Sequence, residues 1–391
     1  MKLRVLSSIL QIPSSDWQPL APRDFPFLSY HFLHALETTD CLGQRTGWKP
    51  AYLTLWQGEE LVAALVSFVK NNSFGEYIFD FAWAEAFESM GKSYYPKLVS
   101  AIPFTPATGP KILLSPRLSA EEGTQAAQTL LRELRQLGAQ LEVSSVHSLF
   151  IPEHQLHFYR EAGFFIRHSY QYHWRNRGYQ NFDDFLKDLR SKRRREVVHE
   201  RAQAASQGLR IRQLSGDLIQ SDYAEIFHQF YSNTVDKKGG HEYLTLDFFR
   251  QVFATMKDQL LFVLAEDPDG RPVAGALNYF GDQTLFGRHW GCVDEFRSLH
   301  FELCYYQGLD FAIEKKFQLF EAGAQGEHKF HRGFLPSLTY SAHQIHEPRL
   351  AEPIQNFVER EKLYLTRLFE DYAAHSPFSR GEGGDKKVPS P

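Results

Sequence analysis

The segment Leu53-Thr-Leu-Trp-Gln-Gly-Glu-Glu-Leu-Val-Ala-Ala-Leu-Val66 is matched by a second one, Leu261-Phe-Val-Leu-Ala-Glu-Asp-Pro-Asp-Gly-Arg-Pro-Val-Ala-Gly-Ala-Leu277. Each has the pattern of an apolar strand, a polar turn with glycine, and a strand whose small residues permit close backbone approach. A helix and another strand are expected after each pair, with the strands at residues 140–145 and 318–322. Repetition on this scale predicts two copies of one mixed α/β module. The cleft where two modules meet is a usual place for a site.

The composition indicates two globular domains and excludes several classes of protein. At 391 residues the chain is too long for one ordinary core, and its hydrophobic fraction of 43%, with 33 Phe and 18 Tyr, can fill two. The net charge of −4 excludes a polyanion binder that acts through its overall field, so any phosphate contact has to be local. Three cysteines without CxxC spacing predict a cytoplasmic protein without disulfides. The lack of an apolar run of about 18 residues predicts no membrane span.

Changes in composition divide the chain into four parts. The connecting part is expected to be one helix from an N-cap at Asn181 to Gly208, and because it is charged nearly all round it is expected to be exposed or to bridge domains. In the first module, helical periodicity over 121–137 is expected to end at Gly138. The C-terminal tail is rich in Gly, Ser, Pro and charge, which predicts disorder. The four predicted parts are a first module over 1–178, the connecting helix over 179–208, a second module over 209–375 and a disordered tail over 376–391.

The densest group of polar residues lies in the second module, at a strand end, the following helix start and the next strand end. A helix is expected over 298–316, with Glu302 in its first turn and off its apolar stripe, where this carboxylate could face a cleft and take a proton from an attacking amine. Glu327 is the other candidate base. Backbone amides at Gly323 and Gly326 suit an oxyanion or a phosphate. Side chains expected to bind substrate, the last two by neutralising a phosphate or carboxylate, are Arg288, His289, His300, Tyr305, Gln325, Lys329 and Arg332.

Other interpretations of the same region stay open. A zinc site is one, but the spacing of the candidate ligands matches no closed Cys/His set, so no metal is predicted. Cys292, after a glycine that follows a strand, is a candidate nucleophile, whereas Cys304 on the apolar stripe is expected to pack in the core. The basic run 192–195 is either a contact for RNA or pyrophosphate or a solvated helix face balanced by Glu196 and Glu200. The candidate zinc ligands are His289, Cys292, His300, Cys304, His328 and His331.

Five strings of the chain are typical of one protein family. They are Phe25-Pro-Phe-Leu-Ser, Tyr94-Tyr-Pro-Lys-Leu, Pro103-Phe-Thr-Pro-Ala-Thr-Gly-Pro110, His300-Phe-Glu-Leu-Cys-Tyr-Tyr306 and Glu321-Ala-Gly-Ala-Gln-Gly-Glu-His-Lys329. The strings resemble the FemAB-like predicted N-acyltransferases, a family linked to peptidoglycan biosynthesis or recognition, and the resemblance spans roughly residues 15–378. In addition, Phe158-Tyr-Arg-Glu-Ala-Gly-Phe164 is similar to the closing turn of the GNAT acyltransferase fold. The resemblance implies a mixed α/β fold of two tandem GNAT-like domains, each a mixed, mostly antiparallel sheet flanked by helices.

The resemblance also implies transfer of an acyl or aminoacyl group to a primary amine of a small molecule or peptide, such as a peptidoglycan precursor. GNAT enzymes hold the acyl-CoA pyrophosphate on a glycine-containing loop before a helix. The corresponding Glu295-Phe-Arg-Ser-Leu-His-Phe-Glu302 has no glycine, so aminoacyl-tRNA, the donor of the Fem ligases, is expected before acyl-CoA, and no bound cofactor is predicted. The alternative function is a non-catalytic binding protein that recognises a cell-wall precursor or peptide. If Glu302 and Glu327 face one cleft, the enzyme is favoured. If both point to solvent or form salt bridges, the binding protein is favoured.

Overall fold

The computed structural model describes residues 1–324 and 326–379, which form a mixed α/β fold with two β-sheets. One short segment, Glu302–Tyr306, is π-helical. The strands are β1 (Lys2–Leu6), β2 (Trp48–Pro50), β3 (Tyr52–Gln57), β4 (Glu60–Leu65), β5 (Phe68–Lys70), β6 (Lys97–Ser100), β7 (Ile112–Leu114), β8 (Ser145–Ile151), β9 (Phe165–Arg175), β10 (Arg210–Leu214), β11 (Leu260–Glu266), β12 (Pro272–Phe280), β13 (Thr284–Cys292), β14 (Leu319–Glu321) and β15 (Leu335–Ile345). The helices are α1 (Ser14–Trp17), α2 (Tyr30–Thr38), α3 (Phe81–Ser89), α4 (Ala120–Gln140), α5 (Leu156–Glu161), α6 (Phe182–Asp188), α7 (Ser191–Ala205), α8 (Tyr223–Lys237), α9 (Leu246–Thr255), α10 (Leu299–Phe301), α11 (Gln307–Glu314) and α12 (Pro348–Ala374).

Each half of the chain contains an antiparallel hairpin and a parallel strand pair, which lie in separate sheets in the first half and in one sheet in the second half. The two repeated sequence segments form antiparallel hairpins, β3 with β4 and β11 with β12. In each half a helix then leads to a strand that pairs in parallel with an earlier one. Helix α4 leads to β8, which pairs with β6, and α11 leads to β14, which pairs with β13. The predicted mixed α/β fold with mostly antiparallel pairing is confirmed.

Strands β9 and β15 are exchanged between the two halves. β9 pairs with β14 of the second half, and β15 pairs with β8 of the first half, both antiparallel. The two exchanged strands also pair with each other, from Leu335↔His173 to His343↔Phe165. The result is an 11-stranded sheet in the order β10-β11-β12-β13-β14-β9-β15-β8-β6-β5-β2, beside a four-stranded sheet, β1-β3-β4-β7. The domain boundaries at 178 and 209 stay a prediction, and hydrogen-bonded strands join the halves across them.

Helix α4 does not end where the sequence predicts. It continues through Gly138 to Gln140, and the strand expected at 140–145 begins only at Ser145. A Cβ atom at Gly138 would lie 2.7 Å from Val146 Cγ2 on β8. The glycine therefore permits close packing of helix on strand rather than ending the helix.

The connecting segment forms two helices where one is predicted. Asn181 caps α6 as expected, because its side chain accepts a hydrogen bond from the Asp184 backbone N–H. Leu189 then takes an extended conformation with its side chain fully buried, which separates α6 from α7. The buried leucine follows a short apolar stripe, and burying its side chain outweighs the continuity of the helix.

The first residues of the predicted disordered tail are packed against the fold. Phe378 is buried and forms a β-bridge with Leu189. The guanidinium carbon of Arg177 lies 3.8 Å from the centre of the Phe378 ring. The expectation of disorder is therefore wrong for residues 376–379, and its remainder, 380–391, lies outside the described residues.

The two halves share a hydrophobic core, which holds the site in place. Phe27 of the first half meets Phe286 of β13 edge to face, with ring centres 5.2 Å apart. Both side chains are almost fully buried and belong to the same cluster. Within the ranges that the structure describes, no helix is both long and apolar enough to cross a membrane.

Candidate active site

A cavity lies where β13 and β14 separate. The two strands pair only between Thr284–Phe286 and Leu319–Glu321, whereas β13 continues to Cys292. The gap beyond the paired residues contains a cavity of about 440 Å³, called the first cavity below. One wall is formed by residues 287–290 of β13 and by residues 322–324, which follow β14.

The first half of the chain supplies the opposite wall of the first cavity. Tyr243 of the second half also lines it, and its ring stacks on Phe104 of the first half with ring centres 4.8 Å apart. The cavity is therefore built by both halves. Segment 73–81 contributes four exposed aromatic side chains, Phe74, Tyr77, Phe79 and Phe81.

The charged side chains of the first cavity are all cations. No carboxylate from the described part of the chain lines it. Burial lowers the pKa of Lys329 to about 8, and its Nζ donates a hydrogen bond to the Gly323 carbonyl at 3.0 Å. Burial also lowers the pKa of His300 to about 4 and that of His289 well below its ordinary value, so both imidazoles are neutral near pH 7. The cavity thus suits an anionic ligand, and its cations are Lys238, Arg288 and Lys329.

Two predicted substrate-binding residues line the first cavity while bound to protein partners. Arg288 Nη2 donates a hydrogen bond to the Phe104 carbonyl of the first half, and burial lowers the pKa of its guanidinium. Tyr305 Oη is hydrogen-bonded to His328 Nε2 at 2.9 Å. Arg288 therefore joins the two halves at the cavity, in addition to any contact with a ligand.

Glu302 faces the connecting helices instead of the cleft. Its buried Oε1 accepts hydrogen bonds from Arg201 Nη2 at 3.1 Å and from Gln307 Nε2 at 2.7 Å, and burial raises the pKa of the carboxyl. The expected orientation assumed a regular helix, but the chain is π-helical over Glu302–Tyr306. Glu302 begins this segment, and its contact with Arg201 keeps its carboxylate out of the wall of the first cavity.

Arg332 is also held by the connecting helices and does not line the first cavity. Its Nε and Nη2 donate to the two carboxylate oxygens of Glu200 at 3.0 and 2.5 Å. Its guanidinium carbon lies 3.5 Å from the centre of the Phe301 ring. A bidentate ion pair of this kind neutralises the charge that was expected to meet substrate.

The glycine-containing segment after β14 divides between two cavities. Gly323 lines the first cavity as expected. Gly326 and the exposed Glu327 line a second, adjoining cavity, so the two candidate carboxylates do not share a cleft. Gln325 lies outside the described residues.

Sequence reasoning thus located part of the first cavity and missed the rest. It missed Lys238 and the aromatic segment 73–81, which the chain places far from residues 288–329. The available signal was the aromatic run near Tyr77, whose side chains are exposed in the structure although their type suggests a core. The predicted residues that the structure brings together here are Arg288, His289, His300, Tyr305, Gly323 and Lys329.

The structure also bears on the other interpretations of this region, namely the nucleophilic cysteine, the zinc site and the basic run. Burial raises the pKa of the Cys292 and Cys304 thiols, which leaves them protonated. Among the described residues, no three His, Cys, Asp or Glu side chains come together as a metal site. In the basic run, Arg193 pairs with Glu196 at 2.7 Å, and Arg194 donates to the Leu189 carbonyl at 3.1 Å. Arg194 thus connects α7 to the end of α6, whereas the Arg193 ion pair lies within α7.

Solved structures share this fold at low sequence identity. FemX superposes with a TM-score of 0.53 at 10% identity, over 91% of this chain and 100% of that chain. The C-terminal DUF2156 domain of a putative lysylphosphatidylglycerol synthetase from Agrobacterium fabrum superposes with a TM-score of 0.54 at 9% identity, over 86% of this chain and 93% of that chain. L-PGS from Bacillus licheniformis superposes with a TM-score of 0.50 at 9% identity, over 83% of this chain and 95% of that chain. At these identities the likeness shows the fold alone.

Comparison of sequences identifies the family. No curated protein matches the chain at a significant level. The family model described as FemAB-like, peptidoglycan biosynthesis/recognition, matches residues 8–380, nearly the whole chain. The chain belongs to the FemAB-like family.

Proposed function

We propose that this chain transfers an acyl or aminoacyl group to a primary amine, with the donor held in the first cavity. The observation that carries the proposal is the gap between β13 and β14, which both halves enclose and in which Lys329 faces neutral imidazoles. Membership in the FemAB-like family supports the same chemistry and suggests a peptidoglycan precursor or related peptide as the acceptor.

The donor that fits best is an aminoacyl-tRNA. The cations of the first cavity suit the phosphates of either tRNA or CoA. The start of the helix after β13, where an acyl-CoA pyrophosphate would need free backbone amides, is occupied by α7. The Arg297 N–H donates to Gln207 Oε1 at 2.9 Å, and Ser298 Oγ donates to Gln203 Oε1 at 2.8 Å. Acyl-CoA therefore lacks its usual cradle here.

The transfer needs an amine, a polarised carbonyl and a leaving group. The neutral amine attacks the donor carbonyl carbon, the new C–N bond forms, and the C–O bond to the tRNA ribose (C–S for CoA) breaks. The ribose oxygen or the thiolate leaves with a proton. The Lys329 ammonium is the group suited to stabilise the developing oxyanion by a hydrogen bond, because it is charged near pH 7 and already bonded to the Gly323 carbonyl. His300 lines the same cavity, and its neutral imidazole is the group that we propose to accept the proton that the attacking nitrogen loses.

A transfer assay with two donors and two lysine variants tests this function. The full chain is incubated with labelled aminoacyl-tRNA or labelled acetyl-CoA, and with a peptidoglycan precursor that carries a free lysine amine. Lys329→Met is expected to lower turnover about 100- to 1,000-fold, the usual effect of losing an oxyanion donor. Lys111→Met is the matched control, since Lys111 is also buried, its Nζ also donates to a glycine carbonyl, and it does not line the cavity.

Two results would contradict the assignment. Equal turnover by Lys329→Met and the wild type would remove the first cavity from the chemistry. The binding-protein alternative has one observation in its favour, because Glu302 is locked in an ion pair and no carboxylate among the described residues lines the first cavity. Retention of the precursor with no transfer from either donor would support that alternative.

A further inference from the structure

A second cavity of about 320 Å³ adjoins the first. Its floor comes from the exchanged strands, with residues 169–172 of β9 and Thr339 of β15 in the lining. Tyr77, Phe79 and Ala324 line both cavities, so a single wall separates them. The second cavity therefore lies where a second substrate could approach a donor held in the first.

The two cavities carry opposite charge. Glu327 lines the second cavity and has no ion-pair partner within the described ranges. The cation there, Arg167, is neutralised by Glu361, to which Nε and Nη2 donate at 2.8 and 2.7 Å. Its Nη1 donates to the Phe79 carbonyl at 2.8 Å and so supports the shared wall. The second cavity is consequently net negative, in contrast to the cationic first cavity.

The lining of the second cavity also offers an unused hydrogen-bonding group and aromatic faces. The Thr339 side chain is fully buried, and its Oγ1 has no hydrogen-bond partner among the described residues. Buried hydroxyls are normally paired, so this one is available for a hydrogen bond with a group inside the second cavity. Tyr170 and Tyr172 supply ring faces beside Glu327. Burial above all raises the pKa of the Tyr170 phenol, and the nearby Glu327 carboxylate acts in the same direction.

We propose that the second cavity binds the amine acceptor as its ammonium form, with Glu327 as counter-ion and the tyrosine rings around the aliphatic stem. This inference rests on the proposed function and adds the acceptor site. A carboxylate next to aromatic faces is a favourable environment for a primary ammonium. To react, the ammonium releases one proton, and its nitrogen moves past Tyr77 and Phe79, which line both cavities, to attack the donor carbonyl carbon. The new C–N bond replaces the C–O bond to the tRNA ribose (C–S for CoA). One amide, one free leaving group and one proton result.

Binding of two amino-acid probes, both blocked at the α-amine and the carboxyl group, to the full chain tests the acceptor site. Nα-acetyl-L-lysine amide carries the ammonium, and Nα-acetyl-L-norleucine amide has a similar stem without it. By NMR titration, the wild type is expected to bind the lysine probe at least tenfold more tightly than the norleucine probe. Glu327→Gln is expected to abolish that difference. Glu352→Gln, at an exposed glutamate on α12, should keep it and serves as the matched control.

A separate probe distinguishes failure of this site from failure of the proposed function. Inorganic pyrophosphate should bind wild type and Glu327→Gln equally and be lost in Lys329→Met. Equal binding of the lysine and norleucine probes, or an unchanged preference in Glu327→Gln, would overturn the acceptor site even if the transfer assay succeeds. The expected preference without any transfer from either donor would support the ammonium site while refuting the proposed function.

Discussion

The parallel strand pairs of the two halves have the same topology but differ in what occupies the gap beyond them. Three residues pair in each case, Leu98–Ser100 with Val146–Ser148 and Thr284–Phe286 with Leu319–Glu321. In the first half, the proline-rich loop after β6 returns along β8, and the Gly109 N–H donates to the Phe150 carbonyl at 3.2 Å. In the second half, the gap is the first cavity. Only the second of these gaps is open to a donor.

The composition of the loop explains how it can fill a gap between strands. Prolines have no N–H group, so a loop rich in them leaves fewer buried donors to satisfy. Gly109 lets the loop approach the core, because a Cβ there would lie 2.4 Å from the Phe25 ring. The buried Lys111 ties the end of the loop through its Nζ to the carbonyls of Gly109 and Phe150 at 2.7 and 3.2 Å. The gap of the first half is thus filled by its own loop, whereas the gap of the second half contributes to the first cavity.

Removing the main apolar contact of the loop should have the largest effect. Phe104 is buried, and its ring packs on Trp48 and stacks on Tyr243. Phe104→Ala is expected to lower the free energy of unfolding by about 3–5 kcal/mol, because truncation leaves a cavity between the halves. Phe74→Ala, at a ring that is 53% exposed, should change it by less than about 0.5 kcal/mol. Urea denaturation measures both losses of stability. A loss in Phe104→Ala as small as that in Phe74→Ala would mean that the loop is not a packing element.

The contact of Glu321 with the loop should make stability depend on pH. Its Oε2 accepts a hydrogen bond from the Thr108 N–H at 3.1 Å, and burial raises its pKa from 4.5 to about 8. Between these values the folded protein keeps a proton that the unfolded chain has released, so stability falls as pH rises through this window. Glu321→Gln should remove this fall and be more stable than the wild type above pH 8, by up to about 3 kcal/mol. Parallel pH profiles of the two proteins would contradict the assignment.

Equivalent glycines test whether the two crossover helices position their strands in the same way. A Cβ at Gly308 would lie 2.6 Å from Phe320 on β14, as one at Gly138 would meet Val146 on β8. Each alanine substitution should cost about 1–2 kcal/mol, because overpacking exceeds the gain in helix propensity. Only Gly308→Ala should also lower transfer per folded molecule, because β14 borders the first cavity. Equal activity in both variants would show that the position of β14 is not critical.

The smallest expected effect concerns anion binding in the open gap. Burial lowers the pKa of Lys329 to about 8, so its ammonium is lost as pH rises through that value. The charged fraction falls from about 0.9 at pH 7 to about 0.1 at pH 9, so pyrophosphate affinity should fall about tenfold, roughly 1.4 kcal/mol. The Lys111→Met variant should show the same fall, since Lys111 is outside the cavity. Isothermal titration calorimetry measures the affinities, and a constant affinity in the wild type would contradict a role for Lys329 in anion binding.

Local features of the sequence were enough to predict the part of the site that lies near β13 and β14. Gly323 and Lys329 both follow β14 closely in the sequence. They are therefore expected near the end of that strand in any fold that contains it. Glu302 and Arg332 looked equally suitable, but their partners come from α7. Arg201 is 101 residues from Glu302, and Glu200 is 132 residues from Arg332. No local pattern reveals that these charges are paired.

The sequence by itself determined the order of strands and helices, the repeated module and the family, because periodicity, turn residues and strings of side chains are local properties of the chain. The tertiary structure alone decided which strand gap is filled, which charges are neutralised and where two cavities meet. Those outcomes depend on burial and on contacts between residues far apart in the chain, and burial sets the energy of every charge involved.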